Sequence, residues 1–378
     1  MKSVLIICLK YAPGNWQHMK SFAYCLKERG YNVHFIISQN FQWMNIDFSD
    51  MADYLASSKS FLTILLDVFL FFLWRWYSFI KIFRKYKPRV ILFVMWHPLN
   101  YFLAKILKTL YPNTQTCYWM HEPYKVDKSE YKEKLIAFNA IEYLQQMLLP
   151  FIDIVILHSN RALNAFNIRY SNYKGKIKLI PLLFKDECKI KDVSSRMFDI
   201  TFIGNAARAK GIDDFFEIVK KNRELNLGLR LQLVTPSKID RYLSELDCWP
   251  DSLLKVINKP RISDDEIREA CAKSLTIIAP YRETTQSGVV PVAFMCGTPV
   301  IATDIEGLRE YVIDKVNGML ISKDFSLENV ISVLKYVKEN FSELSQNARK
   351  SYEETWAEWN FDKYYEWLIE LLKVGDLI

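Results

Sequence analysis

No two cysteines of this 378-residue chain form a C-x-x-C pair, and no histidine lies beside a cysteine at a metal-binding spacing. The seven cysteines are scattered, most of them in apolar segments such as Ile7-Cys8-Leu9. Isolated cysteines in apolar surroundings are typical of buried, reduced thiols in a cytosolic protein. We therefore predict neither a disulfide framework nor a zinc site.

No signal peptide is expected either. The N-terminus, Met1-Lys2-Ser3-Val4-Leu5, leads straight into a strand pattern without the apolar region and small-residue cleavage site of a signal peptide. Repeats and low-complexity tracts are absent. The apolar segment 61–87 is interrupted at Asp67, Arg75 and Lys81, whereas a transmembrane helix needs about 20 apolar residues. A cytoplasmic location follows as the expectation, and the length suits two domains.

Charge is distributed unevenly along the chain. Residues 1–185 hold 24 lysines and arginines against 11 acidic residues, whereas residues 186–378 hold 26 against 32. Such asymmetry indicates a basic face that meets an anionic partner. No RNP-like strand, helix-turn-helix pattern or arginine-rich tract is present, so we predict no nucleic-acid binding.

The residues of segment 61–89 suggest an anionic partner of another kind, a membrane surface. On a helical wheel five polar residues share one narrow stripe: Thr63, Asp67, Ser78, Lys81 and Lys85. Nearly all other residues of the segment are apolar or aromatic. The cluster from Arg84 to Arg89 closes the segment. Two interpretations stay open. The helix is either ordinary core, or it lies in the membrane interface with its basic end on anionic lipid at the inner face.

Strand and helix patterns alternate along the whole chain, which predicts an α/β protein with parallel, doubly wound sheets. In residues 1–183 the expected strands are Val4–Leu9, Val33–Ile37, Val90–Met95, Thr116–Trp119 and Ile154–Leu157. Residues 177–195 are interpreted as a linker. In residues 196–352 the expected strands are Phe198–Ile203, Leu229–Val234, Leu254–Ile257, Leu275–Ala279 and Val300–Ala302. Residues 353–378 continue an amphipathic, aromatic-rich helix that begins near Ser351.

Two strand–loop–helix units in the second half have the features of phosphate-binding sites. The strand at 275–279 is followed by a polar loop and a short apolar helix from about Ser287 to Cys296. Gly288 would let the backbone approach an anion, and the N–H groups of the next turn would point at it. The second unit is Phe198–Ile203 followed by the loop Gly204–Gly211, which contains Arg208 and Lys210.

These segments resemble the donor-site half of family 4 glycosyltransferases, retaining enzymes of the GT-B fold. The resemblance is carried by Cys296–Asp304, by Gly307-Leu308 with Glu310, by Asn317-Gly318, and by Gly204 with Lys210-Gly211 in the family's phosphate loop. It is specific over roughly residues 198–322. It implies two Rossmann-like domains facing a central cleft, with the last helix crossing back to the first domain.

The resemblance also implies an activity. A sugar would pass from a nucleotide-diphosphate donor to a glycan acceptor with retention of configuration. The loop Thr285–Val289 is similar to that of members from surface-polysaccharide pathways, whose acceptors are lipid-linked. Because charge develops on the departing pyrophosphate, cations must stabilise it. The chain has no D-x-D pair, so we expect neither a metal nor another cofactor, and Lys210 and Arg208 are the candidate catalytic cations.

Other site residues follow from the same resemblance. His121 is the third candidate catalytic residue. It follows the strand 116–119 and corresponds to a histidine that contacts the donor sugar, either to relay a proton or to orient the sugar; a structural histidine is the alternative. His97 and His158 also end strands. Gly14 and Asn15 resemble the loop on the acceptor side. The predicted donor-binding residues are Gly204, Asn205, Gly211, Glu283, Thr285, Gln286, Ser287, Gly288 and Val289.

The chain departs from the family at the E-x7-E carboxylates, which would fall at Thr284 and Val292. Asn205 stands where the family's phosphate loop has an arginine. Glu283 is then the first candidate to hold the ribose. Two rivals to the transferase interpretation remain: a nucleotide-sugar epimerase or hydrolase of the same fold, and a non-catalytic subunit that binds sugar or a partner enzyme.

Overall fold

The computed structural model describes residues 3–10, 13–44, 52–56, 61–123, 135–188, 196–246 and 252–373. The chain divides into two compact units. The first contains residues 1–126, 132–183 and 358–378, and the second contains residues 127–131 and 184–357. Each unit is built on one parallel sheet, which confirms the predicted doubly wound architecture.

The first unit has a seven-stranded parallel sheet in the order β3-β2-β1-β4-β5-β6-β7. The strands are β1 (Ser3–Cys8), β2 (Asn32–Ser38), β3 (Ala52–Ala56), β4 (Val90–Val94), β5 (Gln115–Trp119), β6 (Ile154–Leu157) and β7 (Lys176–Leu179). All six residues of β1 are buried. A continuous apolar strand of this kind is expected at the centre of a sheet that is covered on both faces.

The helices α1 to α6 connect these strands. They are α1 (Trp16–Glu28), α2 (Phe61–Leu70), α3 (Trp76–Tyr86), α4 (Pro98–Leu110), α5 (Leu135–Leu148) and α6 (Asn160–Arg169). A π-helical turn, Phe71–Arg75, joins α2 to α3, so the chain is helical from 61 to 86. No helix of the described ranges is long and apolar enough to cross a bilayer.

The second unit has six parallel strands in the order β10-β9-β8-β11-β12-β13. These are β8 (Phe198–Ile203), β9 (Leu231–Thr235), β10 (Leu254–Asn258), β11 (Ser274–Ala279), β12 (Val300–Thr303) and β13 (Gly318–Ile321). The helices are α7 (Ile212–Glu224), α8 (Asp240–Ser244), α9 (Asp264–Ala272), α10 (Val289–Met295), α11 (Glu306–Arg309), α12 (Leu327–Glu339) and α13 (Phe341–Thr355). β8 and β11 are adjacent, so the loops after them leave the same edge of the sheet.

The last helix, α14 (Phe361–Lys373), belongs to the first unit, as predicted. Phe361 and Tyr365 stack on each other and pack against Phe22 of α1, with ring centroids 5.7 and 5.0 Å from that of Phe22. Arg29 makes a two-pronged ion pair with Asp362 at 2.7 and 2.8 Å. The chain ends therefore share one hydrophobic core.

Two local predictions were wrong. The segment interpreted as the start of a linker contains β7, an edge strand that pairs with β6 and leaves three of its four residues exposed. The aromatic tail is not a single helix from Ser351. α13 ends at Thr355, and α14 begins at Phe361 in the other unit. The predicted helix 128–149 is observed from Leu135, and residues 128–134 lie outside the described part.

Candidate functional site

The loop after β8 is held by hydrogen bonds to the neighbouring strand β9 and to the loop after it. The Gly204 N–H donates to the Val234 carbonyl at 3.0 Å, and the Ala206 N–H donates to the Ser237 hydroxyl at 2.9 Å. Arg208–Lys210 forms a 3₁₀ turn. Gly211 follows with φ 69° and is the N-cap of α7. The turn therefore projects from the carboxyl edge of the sheet, where ligands bind in open α/β folds.

The loop after β11 packs against two glycines that have no room for a side chain. A Cβ on Gly211 would lie 2.0 Å from the Pro280 carbonyl oxygen, and a Cβ on Gly307 would lie 2.0 Å from the Thr284 carbonyl oxygen. Both contacts are with backbone atoms, which cannot turn aside as a flexible side chain would. Gly211 and Gly307 thus fix the course of residues 280–284.

Lys210 is half-buried between the two loops. Its ammonium lies 3.8 Å from the centroid of the Tyr281 ring and 3.3 Å from the Thr284 hydroxyl. A cation on an aromatic face is stabilised by the ring quadrupole, and this contact restricts the flexible lysine stem. The Arg282 N–H also donates to the Ala209 carbonyl at 3.0 Å, which ties the loops together. The structure therefore holds a fixed positive charge at the edge of β8 and β11.

The other predicted donor residues lie on the same two loops. Glu283, Thr285 and Ser287 are buried, whereas Asn205 and Gly288 are exposed; Arg208 is also exposed. The Ser287 hydroxyl accepts the Val290 N–H at 3.5 Å, at the first turn of α10. A Cβ on Gly288 would meet nothing within 4 Å. Each of the two loops therefore has a position open to a ligand, Arg208 on one and Gly288 on the other.

The structure also bears on the missing carboxylate at Val292. This side chain is 2% exposed within α10, whose residues 290–295 are all buried. The prediction of a packed apolar helix at this point is confirmed. A carboxylate here would lose its hydration, which costs several kcal/mol unless it is paired.

In the first unit, His121 belongs to a cluster of three buried histidines. His121 stacks on His158 with ring centroids 4.8 Å apart, and the His18 ring lies 5.0 Å from that of His121. His18 is on the first turn of α1, three residues after the predicted acceptor-side residue Asn15. The Asn15 side-chain nitrogen is buried and has no hydrogen-bond partner among the described residues. The Gly14–Asn15 loop and His121 are therefore parts of one region of this unit.

Burial keeps the histidine cluster neutral. Desolvation lowers the pKa of His121 and of His18 well below 6.5, and the neighbouring His158 lowers both further. Desolvation also lowers the pKa of His158, to about 4, against the opposing effect of a 2.8 Å hydrogen bond with the Ile180 carbonyl. In the described residues no group of three or more histidine, cysteine or acidic side chains is arranged to hold a metal ion. At neutral pH His121 can therefore donate or accept a hydrogen bond, but it supplies no positive charge.

A buried polar network holds the loop that carries His121. The Gln145 amide donates to the Glu122 carbonyl at 3.2 Å, and the Tyr170 hydroxyl donates to the Pro123 carbonyl at 3.0 Å. Tyr170 and Gln145 also hydrogen-bond each other at 2.9 Å. These two side chains come from α5 and the end of α6, and they fix the backbone after His121.

Sequence reasoning missed Gln145, Tyr170, His18 and Arg196. The Arg196 guanidinium donates to the carbonyls of Cys271, Ser274, Cys296 and Gly297 and to the Thr298 hydroxyl, at 2.5–3.3 Å. It fastens the start of the second unit to the turn after α10. For His18 a signal existed, since it follows the Gly14–Asn15 loop by one helical turn. For the other three no local pattern was available, because their partners lie far away in the sequence.

His97 has a structural role. Its Nδ1 accepts the Leu99 N–H at 3.2 Å and so caps α4, and burial lowers its pKa to about 3.

Comparisons with known proteins agree with this description of the second unit. Residues 198–337 match the family model for glycosyl transferases group 1. An uncharacterized glycosyltransferase of Methanocaldococcus jannaschii is 27% identical over 168 residues, which is 44% of this chain. That match spans 43% of the relative's own length.

Solved structures match nearly the whole chain. Sucrose-phosphate synthase from Thermosynechococcus elongatus has a TM-score of 0.78 and 17% identity, covering 98% of this chain and 100% of that one. HepE of Anabaena, solved with UDP-glucose, has a TM-score of 0.72 and 13% identity, with 98% and 100% coverage. At this identity the likeness concerns the fold. The chain therefore has the GT-B fold, and its residues 198–337 are similar to the glycosyl transferases group 1 domain.

Proposed function

We propose that this protein is a glycosyltransferase that takes its sugar from a nucleotide-diphosphate donor. The donor would bind to the second unit, between the Gly204–Gly211 loop and residues 283–289. One observation carries the proposal: Lys210 is held against Tyr281 and Thr284 at the point where the two strand–loop–helix units meet. A fixed cation beside exposed loop backbone suits a diphosphate, for which each charge-assisted bond contributes about 1.5–3 kcal/mol.

The proposed reaction needs no carboxylate nucleophile. The bond between the anomeric carbon and the β-phosphate oxygen breaks, and a bond to the acceptor hydroxyl oxygen forms on the same face. Because the new bond forms on the face from which the phosphate departs, configuration is retained, as the resemblance to family 4 implies. The departing phosphate accepts the acceptor's proton. Lys210 and Arg208 stabilise the charge that develops on the pyrophosphate. His121, neutral in its buried cluster, would contact the donor sugar by hydrogen bonding.

Uridine diphosphate sugars are the first donors to test. HepE of Anabaena is solved with UDP-glucose, and the pneumococcal O-GlcNAc transferase GtfA, a further structural neighbour, is solved with UDP and GlcNAc. For the acceptor we propose a lipid-linked glycan of surface-polysaccharide biosynthesis. The protein would then act in the cytoplasm, at the inner face of the membrane.

The test is donor binding and turnover by Lys210→Ala. We expect donor affinity or turnover to fall at least tenfold, with the melting temperature unchanged, because the ammonium is only half-buried. Lys221→Ala is the matched control: this lysine of α7 is also half-buried and makes only a 3.8 Å ion pair with Glu217 of the same helix, and its removal should change neither quantity by more than the small effect of such a pair. A Lys210→Ala protein that binds and turns over donor like the parent would refute the donor site.

A non-catalytic, sugar-binding subunit is the second candidate, and Val292 favours it. Its burial within α10 means that no carboxylate reaches the ribose from this position. Glu283, buried on the donor loop, is the proposed replacement. Donor binding that depends on Lys210, without turnover of any acceptor offered, would favour the subunit over the enzyme.

A further inference from the structure

The helical segment from 61 to 86 exposes a large apolar face in the first unit. Six bulky apolar side chains are 44–61% exposed: Leu66, Phe69, Phe72, Leu73, Trp76 and Tyr77. Their spacing of three and four residues places most of them along one side of the helix. Four of the six are aromatic. Soluble proteins seldom leave so many large apolar side chains together in water unless the surface binds something.

The opposite side of the helix is ordinary core. Ile64, Phe71, Phe79 and Phe83 are buried there. Asp67 is fully buried and makes a 2.8 Å ion pair with Arg75, which also donates to the Leu55 carbonyl. The ion pair fixes the rotation of the helix about its axis and keeps the acid of α2 away from the surface. The exposed face of the segment is thereby left without negative charge among its described side chains.

The same face ends in a group of cations. Lys81, Arg84, Lys85 and Lys87 are all exposed. Arg84 follows Tyr77 by seven residues, so two helical turns bring it onto the apolar side. Lys87 is the C-cap residue directly after α3. This arrangement, an aromatic surface with a basic end, matches the interface of an anionic bilayer. There the apolar side chains enter the acyl boundary, and the cations contact headgroups.

We infer that the face from Leu66 to Tyr77, with the basic end Lys81–Lys87, is the surface that docks this protein on an anionic membrane. The inference rests on the proposed membrane association and adds the face and the orientation. Charge decides between occupants: a second copy of the chain would bring the same cations against one another, whereas anionic lipid complements them. Residues 61–89 are thus both core and membrane-facing, each on its own side of the helix.

The experiment is co-sedimentation of the full-length protein with two kinds of vesicle. Neutral vesicles contain phosphatidylcholine alone, and anionic vesicles contain phosphatidylcholine mixed with phosphatidylglycerol. We expect binding to anionic vesicles that weakens as salt screens the charges. Phe69→Ser/Phe72→Ser should lower the partition coefficient at least tenfold. Its matched control is Tyr143→Ser/Ile168→Ser, which removes two comparably exposed apolar side chains of α5 and α6. Arg84→Gln/Lys85→Gln should lower binding to anionic vesicles at least tenfold, whereas Lys335→Gln/Lys350→Gln in the second unit should not.

Three outcomes would overturn the inference. The first is that the parent protein remains in the supernatant with anionic vesicles. The second is that Phe69→Ser/Phe72→Ser binds the vesicles like the parent. The third is that the parent is a dimer, that this substitution converts it to a monomer, and that neither form binds vesicles. Donor binding, measured on the same variants without vesicles, separates this inference from the proposed function. Loss of vesicle binding with intact donor binding removes only the docking surface.

Discussion

At the scale of single residues, two glycines of the proposed donor loops, Gly211 and Gly288, differ in whether the fold has room for a side chain. Gly211 has a left-handed backbone, and a Cβ there would collide with the Pro280 carbonyl oxygen. Gly288 has φ −78° and open space where a Cβ would lie. The fold therefore needs a glycine at position 211 but not at position 288. If Gly288 matters, a ligand must be the reason.

This difference gives a prediction. Gly288→Ala should fold with the parent's melting temperature but bind donor about tenfold more weakly, because a methyl group would hold the phosphates away from the loop backbone. Gly211→Ala should lower the melting temperature, because strain and the backbone collision add. Thermal unfolding with and without donor measures both. Unchanged donor affinity in Gly288→Ala would show that the loop backbone does not approach the phosphates.

The residues predicted from sequence and those missed differ in the range of their contacts. Lys210, Gly211 and Gly288 were found because loop, strand and helix signals adjoin them in the sequence. Arg196 was not found because its acceptors lie 75–102 residues away. Gln145 was missed for a similar reason: its partners Tyr118 and Tyr170 come from β5 and the end of α6. A single sequence contains no local pattern for such contacts.

At the scale of elements, the buried strands were the most predictable. β4, β5, β8 and β11 are buried along nearly their whole length, and their observed bounds are within one residue of those predicted. β7 was missed because its alternation of lysine with apolar residues, followed by Pro181, is equally typical of a polar connection. Pairing with β6 makes it a strand, and pairing is a tertiary property. The lysines at this edge also discourage pairing with another chain.

The histidine cluster, formed where α1, β5 and β6 meet, predicts a pH effect on stability. The folded protein keeps His18, His121 and His158 neutral, whereas the unfolded chain protonates them near pH 6.5. Their folded-state pKa values are lowered, so their contribution to the free energy of unfolding is complete above pH 6.5. It is lost as the pH falls towards about 4, the folded-state pKa of His158. Each unit of pKa difference corresponds to about 1.4 kcal/mol.

We therefore expect the free energy of unfolding to fall between pH 7 and pH 5, measured by urea denaturation. His158→Gln should reduce this slope, because one of the histidines that the unfolded chain protonates more readily than the folded protein is gone. His34→Gln tests a histidine outside the cluster: burial lowers the pKa of His34 against the opposing 2.9 Å hydrogen bond with Asp53, so this substitution should also reduce the slope. A slope unaffected by His158→Gln would contradict the neutral cluster.

At the scale of the whole molecule, the first unit is assembled from both ends of the chain. Phe361, Tyr365, Leu368 and Leu372 of α14 are each at most 2% exposed. Burying a large apolar side chain contributes about 1.5–3 kcal/mol, so these four together contribute about 6–12 kcal/mol. That is comparable with the entire net stability of an ordinary domain, about 5–15 kcal/mol.

Deletion of residues 361–378 should therefore unfold the first unit or leave it with an exposed core. The expected signs are binding of a hydrophobic dye, loss of the unit's cooperative transition and aggregation. A substitution that keeps the helix but breaks its ion pair, Asp362→Asn, should cost at most about 1 kcal/mol, because that pair is exposed. A deletion variant with the parent's unfolding profile would show that α14 is dispensable for this core.

The position of α14 also sets an order of events on the ribosome. Translation releases β1 to β7 first, yet the helix that closes their core is made about 180 residues later, after every strand of the other unit. The nascent first unit must therefore wait, with its face beside α1 uncovered, while the second unit, all of whose strands lie in the segment Phe184–Ala357, can fold as it emerges. Chaperones that shield apolar surface during synthesis should be needed most in this interval, and rare codons between Phe184 and Ala357 would lengthen it.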